Sequence, residues 1–395
     1  MVPYSFVILQ LLGFCRSATW QEGWKTRLYD CYTYVMLFLL YTNALFQSIY
    51  VFTSFESVDV LIDNTFILLT TINSGLKATS FVRRRQEIVD LLRRYRSQMC
   101  SPRDEAEEFI RFKYERVIHN LSLCYISFTM CTVIFQTYVQ WRELVPRGEL
   151  IYKAWLPYDN SYPLTFWISH MHQVICQLAD ASVSCTYGVI VAALMIHITA
   201  QFVILNHRFE NLAASLGFAD GSGKGLSKMR ENDDHEGIVM MEREKLAECI
   251  KHHLCIFECM EMSNDVFGAT MLAQYAASSF ILCGTVYKVS KMSGLDPELI
   301  GVLMYLGCML FDIFLPCYYG HNVTTESFRV SQAVYNMYWS ALKTPTKKSL
   351  VLIMSRSLKP FRFTSGYIVQ LSLDSFGGLI KTSYSIFNLL KQQSN

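Results

Sequence analysis

The chain has 395 residues, of which 52% are hydrophobic, 14% aromatic and only 17% charged. Soluble domains average about 25% charged residues, so long apolar runs at this composition point to a polytopic membrane protein rather than a soluble one. The net charge of +2 is no pointer to nucleic acid, and thirteen cysteines scattered without paired spacing give no disulfide framework.

Residues 1–15, MVPYSFVILQLLGFC, lack a basic leading region and a small-residue cleavage site. They read as an inner-face segment that packs under the bundle or lies in the interface, not as a signal peptide. A first span is expected over about 28–53, followed by the short link SFES and a second span over about 58–82. That span ends at Arg83-Arg84-Arg85, and Lys77 is expected to snorkel toward the same side. Residues 83–117 are charged but carry Ile88, Leu91, Leu92, Phe109 and Ile110 at helical spacing, which predicts helices below the membrane, broken near Ser101-Pro102.

The third span is expected over about 118–141, and the following loop, 142–165, holds Pro146, Gly148, Pro157 and Pro163 and reads as irregular. A fourth span over about 166–205 exceeds a bilayer at about 1.5 Å per residue, so it should tilt or project inward. Residues 206–247 are polar and Gly-rich around GFADGSGKG, the composition of a flexible loop. A cytosolic stem from about 239 leads into a fifth span over about 262–288, and Gly294, Asp296 and Pro297 suggest a tight turn into a sixth over about 298–319. Residues 321–356 are amphipathic and too polar to cross, with Lys343, Lys347, Lys348 and Arg356, and read as a helical anchor below the membrane.

The seventh span is expected over about 367–390. Asp374, Gly378, Lys381, Ser385 and Asn388 recur there at steps of three and four, which places one polar stripe on one helix face. Charge inside a membrane is expensive, so the stripe should face protein, a water-filled cavity or a pore. A helix-packing seam, with Gly377 and Gly378 allowing close approach, fits the same pattern.

Lys and Arg in the loops set the orientation. Segments 1–27, 83–117, 206–261 and 321–362 hold three, ten, seven and seven of them, against three in 142–165 and two in 287–297. The first set is therefore cytoplasmic, which puts the N-terminus inside and, after seven crossings, the C-terminus outside.

Cys249, His252, His253, Cys255 and Cys259 cluster on the stem, but their spacing fits no standard zinc site, and helix packing accounts for them. Asp180 and Asp312 are isolated acids inside spans and need a partner or water. His170, His172 and His197 lie in the fourth span with Asp180, where structural hydrogen bonds are expected ahead of a proton relay. The outer halves of the helices are rich in aromatics and Met, including Phe66, Phe135, Tyr138, Trp167, His170, Met171, Met304 and Tyr305. These fit core or lipid-facing packing, and equally a small apolar pocket. No G-x-S-x-G, H-E-x-x-H or Walker A motif appears, so neither an enzyme nor a cofactor is expected.

LPCYYGHNVT (315–324), MSRSLKP (354–360) and the ending LSLDSFGGLIKTSYSIFNLL together resemble the C-terminal signature of insect odorant receptors. His321, and Ser365 in Thr364-Ser365-Gly366, depart slightly from the family's usual residues. The stretch before the first span is also shorter than usual in that family. The resemblance implies an all-α, seven-transmembrane-helix protein in one domain over 1–395, unrelated to G-protein-coupled receptors. It further implies the odour-tuning subunit of a heterotetrameric ligand-gated cation channel, partnered by the family's co-receptor in dendrites of olfactory neurons. The ligand would be a small volatile held between the outer halves of helices two, three, four and six, the region of the eight aromatic, His and Met residues named above. The pore constriction would lie near Phe387, Leu390 and Lys391, with Asp374 in the wider inner vestibule. A gustatory-type channel subunit is the first alternative. A G-protein-coupled receptor is a weaker one, opposed by the charge bias and the Cys-free outer loop.

Overall fold

The computed structural model describes residues 3–16, 23–53, 58–95, 97–212, 235–292, 296–337, 339 and 342–394. The SFES link, the GFADGSGKG stretch and Gly294 lie outside the described residues. Among the described residues the chain is helical apart from loops and one two-stranded sheet.

Helix α1 (Pro3–Leu11) tucks beneath the bundle. Leu9 and Phe14 are buried, and the hydroxyls of Tyr29 and Tyr32 donate to Gln10 O and Leu11 O at 3.0 and 2.8 Å. The segment thus packs against α2 (Trp24–Thr53). Helix α2 packs on α3 (Val58–Arg83), and amphipathic α4 (Arg85–Tyr95) buries Ile88 and Leu91 as their spacing predicts. The break near Ser101-Pro102 is present. Helix α5 (Glu105–Leu144) starts immediately after it, with Asp104 Oδ1 accepting from Glu107 N at 2.7 Å. That amide holds the Asp104 carboxyl below its usual range, as an N-cap should. Phe109 faces outward on this helix rather than into the bundle.

Helix α6 (Pro163–Glu210) is the axis of the fold: 89% of its apolar window is buried, and α5 and α8 pack along it. Its length exceeds the predicted span at both ends. Helix α7 (His235–Lys291) joins the predicted stem and fifth span into one continuous rod. Its lower part is tied to α6 by Arg208, whose Nε and Nη2 donate to Glu107 Oε1 and Oε2 at 2.7 Å each. Arg208 Nη1 also lies 3.1 Å from His252 Nδ1, so that nitrogen accepts and His252 Nε2 donates to Gln201 Oε1 at 2.8 Å.

Helix α8 (Pro297–Asn336) runs past the predicted end of the sixth span, and the anchor expected over 321–356 is divided. Its first part continues α8; its second is α9 (Thr344–Ser357). Pro345 sits in the first turn of α9, the helical position that proline suits best. The seventh helix also starts later than expected. Thr364–Ser365 (β1) pairs antiparallel with Val369–Gln370 (β2) across a turn in which Gly366 and Tyr367 have φ of +57° and +61°. Helix α10 begins only at Leu373 and extends to Ser394. The hairpin docks on α7, where Asn264 Oδ1 accepts from Thr364 N at 3.0 Å. A side chain at Gly366 would also press on Leu272.

Among the described residues, five helices (α2, α5, α6, α7 and α8) are long and apolar enough to cross a membrane. Helices α3 and α10 are not among them. Both carry polar groups at positions that an ordinary lipid-facing helix would make apolar.

Candidate functional site

Those polar groups define the site. Asn73 and Lys77 of α3 share a face, as do Gln274 and Ser278 of α7. Lys77 Nζ lies 2.9 Å from Asp312 Oδ2 of α8, with the lysine side chain fully buried. Its ammonium also sits 5.3 Å from the centre of the Tyr187 ring. Asp312 Oδ2 accepts a second bond from Gln274 Nε2 at 2.8 Å. Because the carboxylate can only accept from Lys77 and Gln274, Gln274 Oε1 is left to accept from Asn73 Nδ2. Asp312 Oδ1 rests against Gly188, where an added Cβ would come within 2.8 Å of it. The expected snorkelling of Lys77 is thus corrected. The lysine turns inward because a buried acid awaits it, and the pair crosslinks α3, α7 and α8.

Above this network lies a cavity of about 510 Å³, reaching from Asn73, Tyr125 and Asp312 up to the outer loop. Phe66, Thr70, Val133, Ile151, Tyr152 and Tyr305 contribute to its wall. Tyr305 and Thr70 join α8 to α3 through hydroxyls 2.8 Å apart. Phe66 packs where Gly284 of α7 leaves room; a methyl group at 284 would overlap its ring. The loop after α5 forms the roof. Gln173 of α6 holds it at both edges, accepting from Tyr152 N at 3.1 Å and donating to Tyr152 O at 3.0 Å.

Helix α10 leans on α7 and α8 through Leu379, Ser383 and Phe376, with Phe376 5.4 Å from Phe314. Asp374, Gly378, Lys381, Ser385 and Asn388 are all exposed on the opposite side. The polar stripe is therefore not a packing seam within this chain.

A profile of the 7tm odorant receptors matches residues 57–384, most of the chain. The chain belongs to the odorant receptor family. The receptor is 22% identical over 388 residues to odorant receptor Or1 of Anopheles gambiae, covering 94% of this chain and 88% of that one. It is 22% identical over 400 residues to odorant receptor 46a, isoform B, of Drosophila melanogaster, covering 98% and 97%. A shorter match, 24% identical over 242 residues, spans 54% of another Drosophila melanogaster relative. Among solved structures, the olfactory receptor OR5 of Machilis hrabei in complex with eugenol superposes with a TM-score of 0.83. That match covers 99% of this chain and 97% of that one at 15% identity, and it establishes the seven-helix membrane fold.

Of the pocket residues expected from the sequence, Phe66 and Tyr305 line the cavity of this receptor. Phe135 lies beside it, near Gly301, and Met304 is half-buried one position from Tyr305. Tyr138 and Met171 are exposed on the outer surface. Trp167 and His170 belong to a separate aromatic cluster, with Trp141 5.4 Å from Trp167 and 5.3 Å from His170. Of the expected pore residues, Asp374 is exposed and Phe387 half-buried, 6.1 Å from Tyr384. The side chains of Leu390 and Lys391 lie outside the described residues. Reading by residue type alone passed over Asn73, Gln177 and Gln274. Their signal was present, as amides inside apolar helices.

Proposed function

We propose that this receptor is the odour-tuning subunit of a heteromeric, odorant-gated, non-selective cation channel in the dendritic plasma membrane of olfactory sensory neurons. Its partner is the family's co-receptor subunit, in a heterotetramer around one pore. The Lys and Arg bias of the loops supports a cytoplasmic N-terminus and an extracellular C-terminus. The cavity is the odorant site; its volume lies within the roughly 300–1,000 Å³ typical of small-molecule pockets. The eugenol complex of the Machilis hrabei relative supports a small organic molecule as ligand. The exposed stripe of α10, from Asp374 upward, faces the central axis or the neighbouring subunit, and Phe387, Leu390 and Lys391 form the outer constriction.

One observation carries this reading. Two consecutive residues of α7 connect the cavity floor to the pore helix. Gln274 bonds Asp312 at the floor, and Tyr275 donates its hydroxyl to Ser375 O of α10 at 2.6 Å. A ligand that reorders the floor therefore acts on the first turn of α10. It shifts the closed–open equilibrium by the difference between its affinities for the two states and by no more. The test is expression in cells lacking endogenous odorant receptors, alone and with co-receptor. Odour-evoked cation current is expected only with co-receptor. A robust G-protein response in its absence would overturn the channel reading.

A further inference from the structure

The cavity wall holds oxygens that the fold leaves without partners. Asp180 of α6 is 8% exposed, and its Oδ1 receives no hydrogen bond. The hydroxyls of Ser74 and Thr71 engage its carboxyl, which leaves Oδ1 as the open acceptor. The lysine of the floor, Lys77, is committed to Asp312, and Lys288 at the mouth pairs with Glu298 at 3.4 Å. Asn73 Oδ1 is also unpartnered. Its identity as an oxygen follows from the floor network, because Asp312 orients Gln274 and Gln274 in turn engages Asn73 Nδ2. Ser74, next to Asn73 on α3, donates its Oγ to Asp180 O at 3.2 Å, which ties this turn of α3 to that turn of α6. Asn73 and Asp180 both line the cavity. A buried acceptor without a donor costs about 1–3 kcal/mol.

Building on the odorant-site reading, we infer that the cavity selects volatiles carrying a hydrogen-bond donor, such as an aliphatic alcohol or amine, with the donor group placed against Asp180 and Asn73 and the hydrocarbon tail against Phe66, Val133 and Tyr305. An ether or aldehyde of the same chain length fills the same apolar volume but leaves both oxygens unsatisfied. Discrimination of this kind, by a site built to receive a donor, is stronger than discrimination by one methylene.

The test is ligand-induced thermal stabilisation of the purified full-length receptor with octanol, octylamine, octanal and methyl octyl ether. It reads binding without relying on channel opening. Octanol or octylamine should bind at least tenfold more tightly than the ether and the aldehyde. Asp180→Leu should reduce that preference to about threefold or less, while Asp180→Asn, which keeps an oxygen acceptor, should keep it. Equal affinity of all four ligands for the unmodified receptor would overturn the donor rule and leave the odorant site standing. No stabilisation by any of them would remove the site itself, and with it the odorant reading of the cavity.

Discussion

Lys77 and Asp312 illustrate what a single residue does in this receptor. Each alone is a charge in a low-dielectric interior, and together they are a 2.9 Å pair whose carboxylate also accepts from Gln274. Removing one partner is far costlier than removing both. Lys77→Met should destabilise the fold by about 3–5 kcal/mol and abolish surface expression. The double substitution Lys77→Met with Asp312→Leu should restore most of it, as measured by surface labelling. A double variant as poorly expressed as the single one would assign the lysine a role other than pairing. Reading the sequence identified Asp312 as an acid in need of a partner but assigned Lys77 to the membrane surface. The two are 235 positions apart, and nothing local to Lys77 announces which side of α3 meets α8.

At the scale of elements, helix existence and order were legible in the hydrophobic runs, and so was the amphipathic face of α4. Three things were not. The start of α10 was hidden because Gly366 and Tyr367 form a turn in the left-handed region, which apolar composition does not reveal. The continuity of α8 past residue 320 was hidden because polarity suggested a membrane boundary, and helices cross such boundaries without breaking. The rotation of each helix was hidden too, so Phe66 and Tyr305 line the cavity while Tyr138 and Met171 face out. The contact of α3 with α7 makes the rotation testable. Because Phe66 packs on Gly284, Gly284→Ala should push the ring into the cavity and select against the largest ligands first, with little effect on small ones. Phe66→Leu in the same chain should recover them. A ligand-size series on the two variants checks this, and an unchanged size profile for Gly284→Ala would refute the packing argument.

For the whole molecule, the proposed orientation rests on the Lys and Arg bias of the loops. An epitope added after Asn395 should be labelled on intact cells, and labelling only after permeabilisation would reverse the topology. Within the assembled channel, Asp374→Asn should alter cation selectivity or conductance if the exposed stripe meets conducting water. A change confined to surface expression would instead make the stripe a contact between subunits. The family was legible from the closing motifs, which lie in α8, at the end of α9 and along α10. The ligand cavity was not, because it exists only where five helices and a loop converge.

The amide chain from Asp312 through Gln274 to Asn73 has a polarity, and its far end sets it. With aspartate at 312, every amide turns its nitrogen toward α8 and presents an oxygen at Asn73. Lys77 and Gln274 both donate to one oxygen, Asp312 Oδ2, so a single atom on α8 decides which end of an amide on α3 the cavity meets. The chemical face that α3 shows a ligand is thus written on another helix.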